Sequence, residues 1–377
     1  MVIEMIEIKE VINKRHLKKF IQFPNDLYKD NKYYVPCLFS DELANFNPKK
    51  NPAYAFCETR LFLAYKDNKI VGRIAGLISH AYNKKVNRNI MRFTRFDVID
   101  DIEVTKALIG KVEEWAKSRG LNQLMGPIGF TDIDKQGMLI EGFEEMDLSI
   151  TLYNNEYYKN HLEQLGFRKD ADWIEFQIYM PEKMDERLSR ISEAVQKRYG
   201  YHRVNFKNNK ELIPYAYKAL QVINEAFYGL YGTVPLTQEI IEKAIKEYIP
   251  IVNLDFTIVI CDKNENVIGF GLLMPSLAEP LKKSNGRLFP LGIFRMINAL
   301  KKFDILEMYF IAVKPEYQKT GVNAIVMEEA IKMGVKNKVK YAETGPELDY
   351  NSNVIDQWKS FPSRQHRRRR SWIKDIE

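Results

Sequence analysis

The residues with the clearest chemical potential lie in one stretch, Ile305 to Ala330. It opens as an apolar strand, Ile305 to Val313, with a single carboxylate, Glu307, inside it. A turn built on Pro315 follows. Then Gln318-Lys319-Thr320-Gly321-Val322-Asn323-Ala324 leads into a run with helical spacing, Ile325, Val326, Ala330 and Ile331. A strand, a glycine turn and a helix N-terminus make an anion site. The first helical amides have no internal partner and lie at the positive end of the helix dipole. Gly321 lets backbone approach a phosphate where a Cβ would intrude. Thr320 and Asn323 supplement those donors.

The order Val313-x-Pro315-Glu316-Tyr317-Gln318-x-x-Gly321, on strand then helix, resembles the acyl-CoA site of the GNAT N-acyltransferase superfamily. That family's pattern is Arg or Gln, two residues, Gly, one residue, then Gly or Ala. Gln318 and Gly321 match, and Asn323 departs at the last position. The resemblance implies acetyl-CoA or a longer acyl-CoA as cosubstrate. Its contacts would come from Ile311, Ala312, Val313, Gln318, Lys319, Thr320, Gly321, Val322, Asn323, Ala324 and Asn351. A backbone amide near Ile311 to Val313 would hold the thioester carbonyl. Strand alternation puts Glu307, Tyr309, Ile311 and Val313 on one face. Acyl transfer to an amine needs the amine to lose a proton, and Glu307 is the candidate general base, directly or through water. The family often supplies an acid as a Tyr seven residues after an Asn in the closing helix. Here Asn351 leads to Trp358, and Tyr350 is out of register. No Ser-His-Asp or Cys-His constellation offers a covalent route.

The elements that must position these residues form an order that occurs twice. In the first half a hairpin (Leu61–Tyr65, Ile70–Ser79) precedes a strand (Asn89–Val98), a helix (Glu103–Arg119), a strand end at Leu124, a helix (Asn155–Leu165) and a strand (Trp173–Tyr179). An amphipathic helix from Lys14 is expected to stop at Phe23-Pro24. In the second half a hairpin (Phe256–Cys261, Val267–Met274) precedes the Ile305 strand and its helix. A strand (Tyr341–Thr344), a helix (Asn351–Ser360) and a last strand (His366–Ile373) follow. The fold class is α/β (α+β): two tandem GNAT-like domains, each a mixed, mostly antiparallel sheet flanked by helices. Residues 1–180 form the first, with an N-terminal arm; 181–200 are a linker helix; 201–377 form the second. The first link from strand to helix, FDVIDDIE, has four carboxylates and no glycine, so it repels phosphate and only the second unit is expected to bind CoA. Over most of its length the chain resembles the bacterial two-domain YghO-like family. The matching phrases are Phe23-Pro-x-x-Leu27-Tyr28, Lys49-x-Asn51-Pro52-Ala53, Gly126-Pro127 and Gly286-Arg-Leu-Phe-Pro290.

Composition sets limits. The chain has 377 residues, 45% apolar and 28% charged, enough for two ordinary cores. Three scattered cysteines form neither a zinc pattern nor a disulfide framework, so a reducing cytoplasm is expected. No apolar run reaches the ~20 residues of a membrane span. Net charge is +7, much of it in Arg364 to Arg370. Those arginines are expected to alternate along a terminal edge strand. No nucleic-acid motif accompanies them, so nucleic acid is not an expected partner.

Three stretches bear on the acceptor. Residues 24–56 carry four prolines and many aromatics, an ordered arm that covers a surface or roofs a groove. The loop Gly126 to Phe143 holds Asp132, Asp134 and Glu141 among glycines and serves structure or faces an acceptor. The insertion Ala278 to Phe303 interleaves Leu288, Phe289, Leu291, Ile293, Phe294, Met296, Ile297 and Leu300 with Lys282, Lys283, Arg287, Arg295, Lys301 and Lys302. Such a segment suits peripheral contact with a membrane surface through 282–302, the lining of an acyl-chain tunnel, or packing on a neighbouring domain. The resulting expectation is an acyl-CoA-dependent N-acyltransferase acting on a small-molecule or lipid amine, with no metal. The alternative is a non-catalytic acyl-CoA or lipid-binding protein.

Overall fold

The computed structural model describes residues 5–376. The chain begins with strand β1 (Glu7–Glu10), helix α1 (Lys14–Leu27) and helix α2 (Phe39–Asn45). A hairpin of β2 (Cys57–Lys66) and β3 (Lys69–Ser79) turns on Asp67 and Asn68, both at positive φ, as a two-residue hairpin loop requires. Then come α3 (His80–Val86), β4 (Ile90–Val98), α4 (Ile102–Ser118), β5 (Gln123–Gly126), β6 (Met138–Glu141), α5 (Tyr157–Gln164) and β7 (Arg168–Tyr179). Helix α6 (Glu186–Tyr199) leads to the second half: β8 (His202–Arg203), α7 (Asn209–Phe227), α8 (Gln238–Tyr248), β9 (Thr257–Cys261), β10 (Val267–Pro275), α9 (Ala278–Lys283) and α10 (Gly292–Ala299). The chain closes with β11 (Ile305–Val313), α11 (Val322–Lys336), β12 (Tyr341–Thr344), β13 (Glu347–Leu348), α12 (Ser352–Trp358) and β14 (Ser363–Asp375).

The strands form one mixed, mostly antiparallel sheet ordered β1-β2-β3-β4-β5-β14-β7-β12-β11-β10-β9-β8, with β6 on β14 and β13 on β7. The two halves mirror each other about the β14–β7 pair. A parallel β4–β5 pair faces β14 on one side, and a parallel β11–β12 pair faces β7 on the other. The closing strands are therefore exchanged: β14 hydrogen-bonds β5 and β6 of the first half, and β7 hydrogen-bonds β12 of the second.

This exchange corrects the reading of the arginine run. Strand β14 is central, and Arg367 and Arg369 have no exposed side-chain surface. Both guanidinium groups bond Glu175 on β7, and Arg369 also bonds Asp147 at 2.7 Å. The charges face paired carboxylates in the interior because a buried charge is tolerated only when paired and hydrogen-bonded. Sequence alternation could not show that the last strand has neighbours on both sides.

Two further expectations change. Helix α1 runs through Pro24 to Leu27 rather than stopping. A proline there removes the bond to the carbonyl four residues back, and that carbonyl, Phe20 O, accepts from buried Arg73 Nη1 at 2.9 Å instead. In β11 the pairing with β10 skips Tyr309: Leu273 lies opposite Met308 and Leu272 opposite Phe310. The bulge flips the alternation beyond it. Met308, Ile311 and Val313 pack with the α11 core, whereas Tyr309, Phe310 and Ala312 pack with the α7–α8 core. Glu307, Tyr309, Ile311 and Val313 do not share a face.

Candidate functional site

The start of α11 presents unpartnered backbone donors. The backbone amides of Lys319, Gly321, Val322 and Asn323 donate no hydrogen bond among the described residues, and no side chain caps the helix. Asn323 is exposed, and Gln318 Nε2 reaches back to Val313 O at 3.3 Å. Two donors behave differently from expectation. The Thr320 hydroxyl is turned inward to Tyr317 O at 2.7 Å. Gly321 sits at φ 94°, and a Cβ there would come within 2.5 Å of Val195 Cγ2 on α6. Packing and backbone, not ligand approach, demand the glycine. Val322 is buried in the core, and Ala324 N bonds Gly321 O. In the first half, Asp101 caps α4 with its own carboxylate, accepting from Glu103 N at 3.0 Å.

Strands β11 and β12 stay paired only to Met308 and Thr344. Beyond that point β11 continues alone on this side, and a cleft opens. A cavity of about 390 Å³ is lined by Ile311, Ala312, Val313, Gln318, Lys319, Asn323 and Asn351, with Phe227 and Leu230 of the α7 end. Seven of the residues expected at the CoA site thus meet around one space. Ile311, Phe227, Leu230 and Asn351 also line a second cavity, which continues past Tyr309, Asp132 and Glu347. Ile133, Asp134, Ile150, Tyr248 and Tyr309 border both that second cavity and a third of about 290 Å³. The third is bounded by Ser149, Lys135 and Glu42 and reaches Leu281 of α9 and Met296 of α10. The loop carrying Asp132 and Asp134 and the arm carrying α2 therefore both wall the route. Asp134 is held by Arg95 at 2.7 Å, while Asp132 is desolvated and its carboxyl is pushed up to about 7.

Glu307 does not line this route; it is fully buried. Its Oε1 accepts from Ser276 Oγ and its Oε2 from Ser149 Oγ, both at 2.7 Å. Ser149 Oγ also lies 3.0 Å from the Tyr309 hydroxyl. Ser149 and Tyr309 face the cavities, so Glu307 reaches them through one hydroxyl. Burial raises the Glu307 carboxyl above the usual carboxylate range, with the two serine bonds opposing. Across the parallel pair, Glu343 lies opposite Glu307 and burial pushes it up to about 7. Sequence reading missed Ser149, Ser276 and Glu343, since none carries a motif and the contacts span distant segments.

The family tyrosine position holds Trp358, whose indole Nε1 donates to Glu347 Oε2 at 2.8 Å. Tyr350 is exposed and outside the cavity walls. On the insertion, Met296, Ala299 and Leu300 pack on Val35, Leu277 and Leu281, but Phe289, Leu291, Phe294 and Ile297 stand exposed, Phe289 at 78%. Among the described residues no helix is long and apolar enough to cross a membrane, and no group of side chains could hold a metal ion.

No family model matches the chain. It is 25% identical over 382 residues to protein YghO of Escherichia coli (strain K12), covering 98% of this chain and 95% of that protein. It is 24% identical over 294 residues to the bacterial ceramide synthase of Caulobacter vibrioides (strain NA1000 / CB15N), covering 76% of this chain and 74% of that one. A tandem GNAT protein from the clavulanic acid biosynthesis pathway superposes with a TM-score of 0.58 at 10% identity, over 99% of both chains. A GCN5-related glucosamine N-acetyltransferase region of a fungal GH3 β-N-acetylglucosaminidase gives 0.56 at 12% identity, over 98% of this chain and 38% of that one. The fold is the tandem GNAT fold, and the YghO likeness runs along nearly the whole sequence.

Proposed function

We propose that this chain is an acyl-CoA-dependent N-acyltransferase that moves a long acyl group to a lipid amine. One observation carries the proposal: three cavities that share wall residues lie in series from the free amides of α11, past the Ser149–Glu307 pair, to α10. In this reading the CoA phosphates sit on the amides of Lys319 to Asn323, and pantetheine runs beside Ile311 to Val313. The chain consists of two GNAT-like units, 1–180 and 201–377, joined through 181–200, and Asp101 denies the first unit a phosphate. The setting is the cytoplasmic side of a membrane, touched through 282–302.

The acyl chain has a place to go. A small apolar pocket of about 50 Å³ between α7 and α8, lined by Leu212, Leu220, Ile245, Phe270, Leu272 and Phe310, shares Ile133 and Tyr248 with the second cavity. Transferring a chain from water into such a pocket contributes about 0.8 kcal/mol per buried CH₂. The likeness to a ceramide synthase supports a lipid amine as acceptor. So does the exposed apolar face of α10 beside the third cavity, flanked by Arg295, Lys301 and Lys302 that suit anionic head groups.

The hydrogen bonds support a proton path. As the amine attacks the thioester carbonyl it passes a proton to Ser149, directly or by way of Tyr309, and Ser149 passes its own to Glu307. A carboxyl raised by burial is a stronger base than one in water. The test is release of free CoA from palmitoyl-CoA on adding sphinganine, dodecylamine or a short water-soluble amine. Thiol release with the long amines, and an amide product by mass spectrometry, is the expected result. Binding of palmitoyl-CoA without release from any amine would favour the non-catalytic reading.

A further inference from the structure

Loss of the CoA thiolate leaves a negative sulfur that must be stabilised or protonated. The side chain at the family tyrosine position cannot do it: Trp358 is buried, and an indole N–H does not give up its proton at ordinary pH. That N–H instead points at a carboxyl group. Glu347 stands on β13, opposite Ile174 of β7, and lines the same cavity as Ile311, Thr344 and Asn351. Trp358 engages only its Oε2, and Oε1 has no hydrogen-bond partner among the described residues.

We propose that Glu347 is the general acid of acyl transfer, giving its proton to the departing CoA thiolate, with Trp358 as the residue that orients it. This assignment rests on the acyltransferase reading. The step balances. The amine nitrogen bonds the acyl carbon, the carbon–sulfur bond breaks and its electron pair stays on sulfur. The Glu347 proton moves to sulfur and leaves a carboxylate. The proton lost by the amine ends on Glu307, and exchange with solvent restores both carboxyls for the next turnover.

The electrostatic setting fits the role. Burial pushes the Glu347 carboxyl up to about 8, the charge of Glu175 on β7 adds to the rise, and the Trp358 bond opposes it. Glu175 stays ionised because Arg367 and Arg369 hold it below the usual range. Glu347 is therefore protonated at neutral pH, and its acidity lies close to the ~8.5 of an ordinary thiol, where proton transfer to sulfur is nearly balanced.

Two measurements test the assignment. The first needs no substrate: the difference infrared spectrum between wild type and Glu347→Gln at neutral pH. A protonated-carboxyl stretch lost in the variant is expected, and its absence overturns the proposal. The second compares palmitoyl-CoA with a palmitoyl thioester of a nitro-substituted thiophenol, whose leaving group needs no acid, each with dodecylamine. Glu347→Gln should lose about 10²-fold in kcat on palmitoyl-CoA and little on the aryl thioester. Equal activity of Glu347→Gln and wild type on palmitoyl-CoA, or equal losses on both thioesters, overturns the acid role while leaving the acyltransferase intact. A wild type that binds palmitoyl-CoA yet acylates no amine overturns the acyltransferase reading and the acid role with it.

Discussion

Ser149 and Glu307 lie 158 positions apart, in opposite halves of the chain, yet the Ser149 hydroxyl donates to the Glu307 carboxyl at 2.7 Å. The second half holds the buried carboxyl, and among the described residues Ser149 of the first half is the one side chain that links its Oε2 to the cavity. Ser149→Ala should therefore lower kcat by about 10²-fold, the usual worth of a positioned proton relay, while leaving KM for palmitoyl-CoA within a factor of about two. Steady-state kinetics check the split. A rise in KM with kcat unchanged would make Ser149 a binding residue.

Much of this arrangement was legible in the sequence, and the rest was not for identifiable reasons. The β11 bounds, Ile305–Val313, and the α11 turn were readable because a strand, a proline turn and a helix leave strong local patterns. Six of the seven expected residues around the 390 Å³ cavity lie in that stretch, and Asn351 came from the family resemblance alone. The bulge at Tyr309 was invisible because one extra residue leaves the apolar pattern intact while reversing the faces beyond it. The β7–β14 exchange is long-range pairing, which local pattern does not encode, so the arginines were assigned to an edge. Ser149 and Glu347 have no motif at all; only the folded chain places them.

The charge cluster under the exchange sets a stability prediction. Glu175 bridges Arg367 and Arg369 with no exposed side chain on any of the three. Glu175→Gln leaves two buried guanidinium groups short of a carboxylate and should cost about 3–5 kcal/mol, read as a lower urea midpoint. A change below about 1 kcal/mol would mean that neighbouring carboxylates already carry the cluster.

Glu347 predicts a pH dependence of stability. Its folded value of about 8 lies above the 4.5 of the unfolded chain, so the folded state holds the proton more tightly. The stabilisation is complete below about 4.5 and is lost as pH rises toward 8. Wild type should lose a few kcal/mol more than Glu347→Gln across that window. Parallel stability curves for the two proteins would contradict the raised value.

The apolar face of the insertion predicts membrane attachment. Phe294→Glu with Ile297→Glu places charge on two exposed side chains of α10. The double variant should retain the wild-type melting midpoint, lose co-sedimentation with vesicles of anionic phospholipid, and keep activity on a short water-soluble amine. Vesicle binding equal to wild type would assign that face elsewhere.

The central claim is that acyl-CoA occupies the cleft from the α11 amides to Phe310. Thermal stabilisation by CoA, acetyl-CoA and palmitoyl-CoA tests it, since a ligand bound only by the folded state raises the midpoint with concentration. Asn323→Glu is the informative variant: Asn323 is exposed at the helix start, whereas any side chain at Gly321 collides with Val195. The expected result is a midpoint shift that grows from CoA to palmitoyl-CoA and collapses in Asn323→Glu. No shift with any of the three, or equal shifts in wild type and variant, would contradict it.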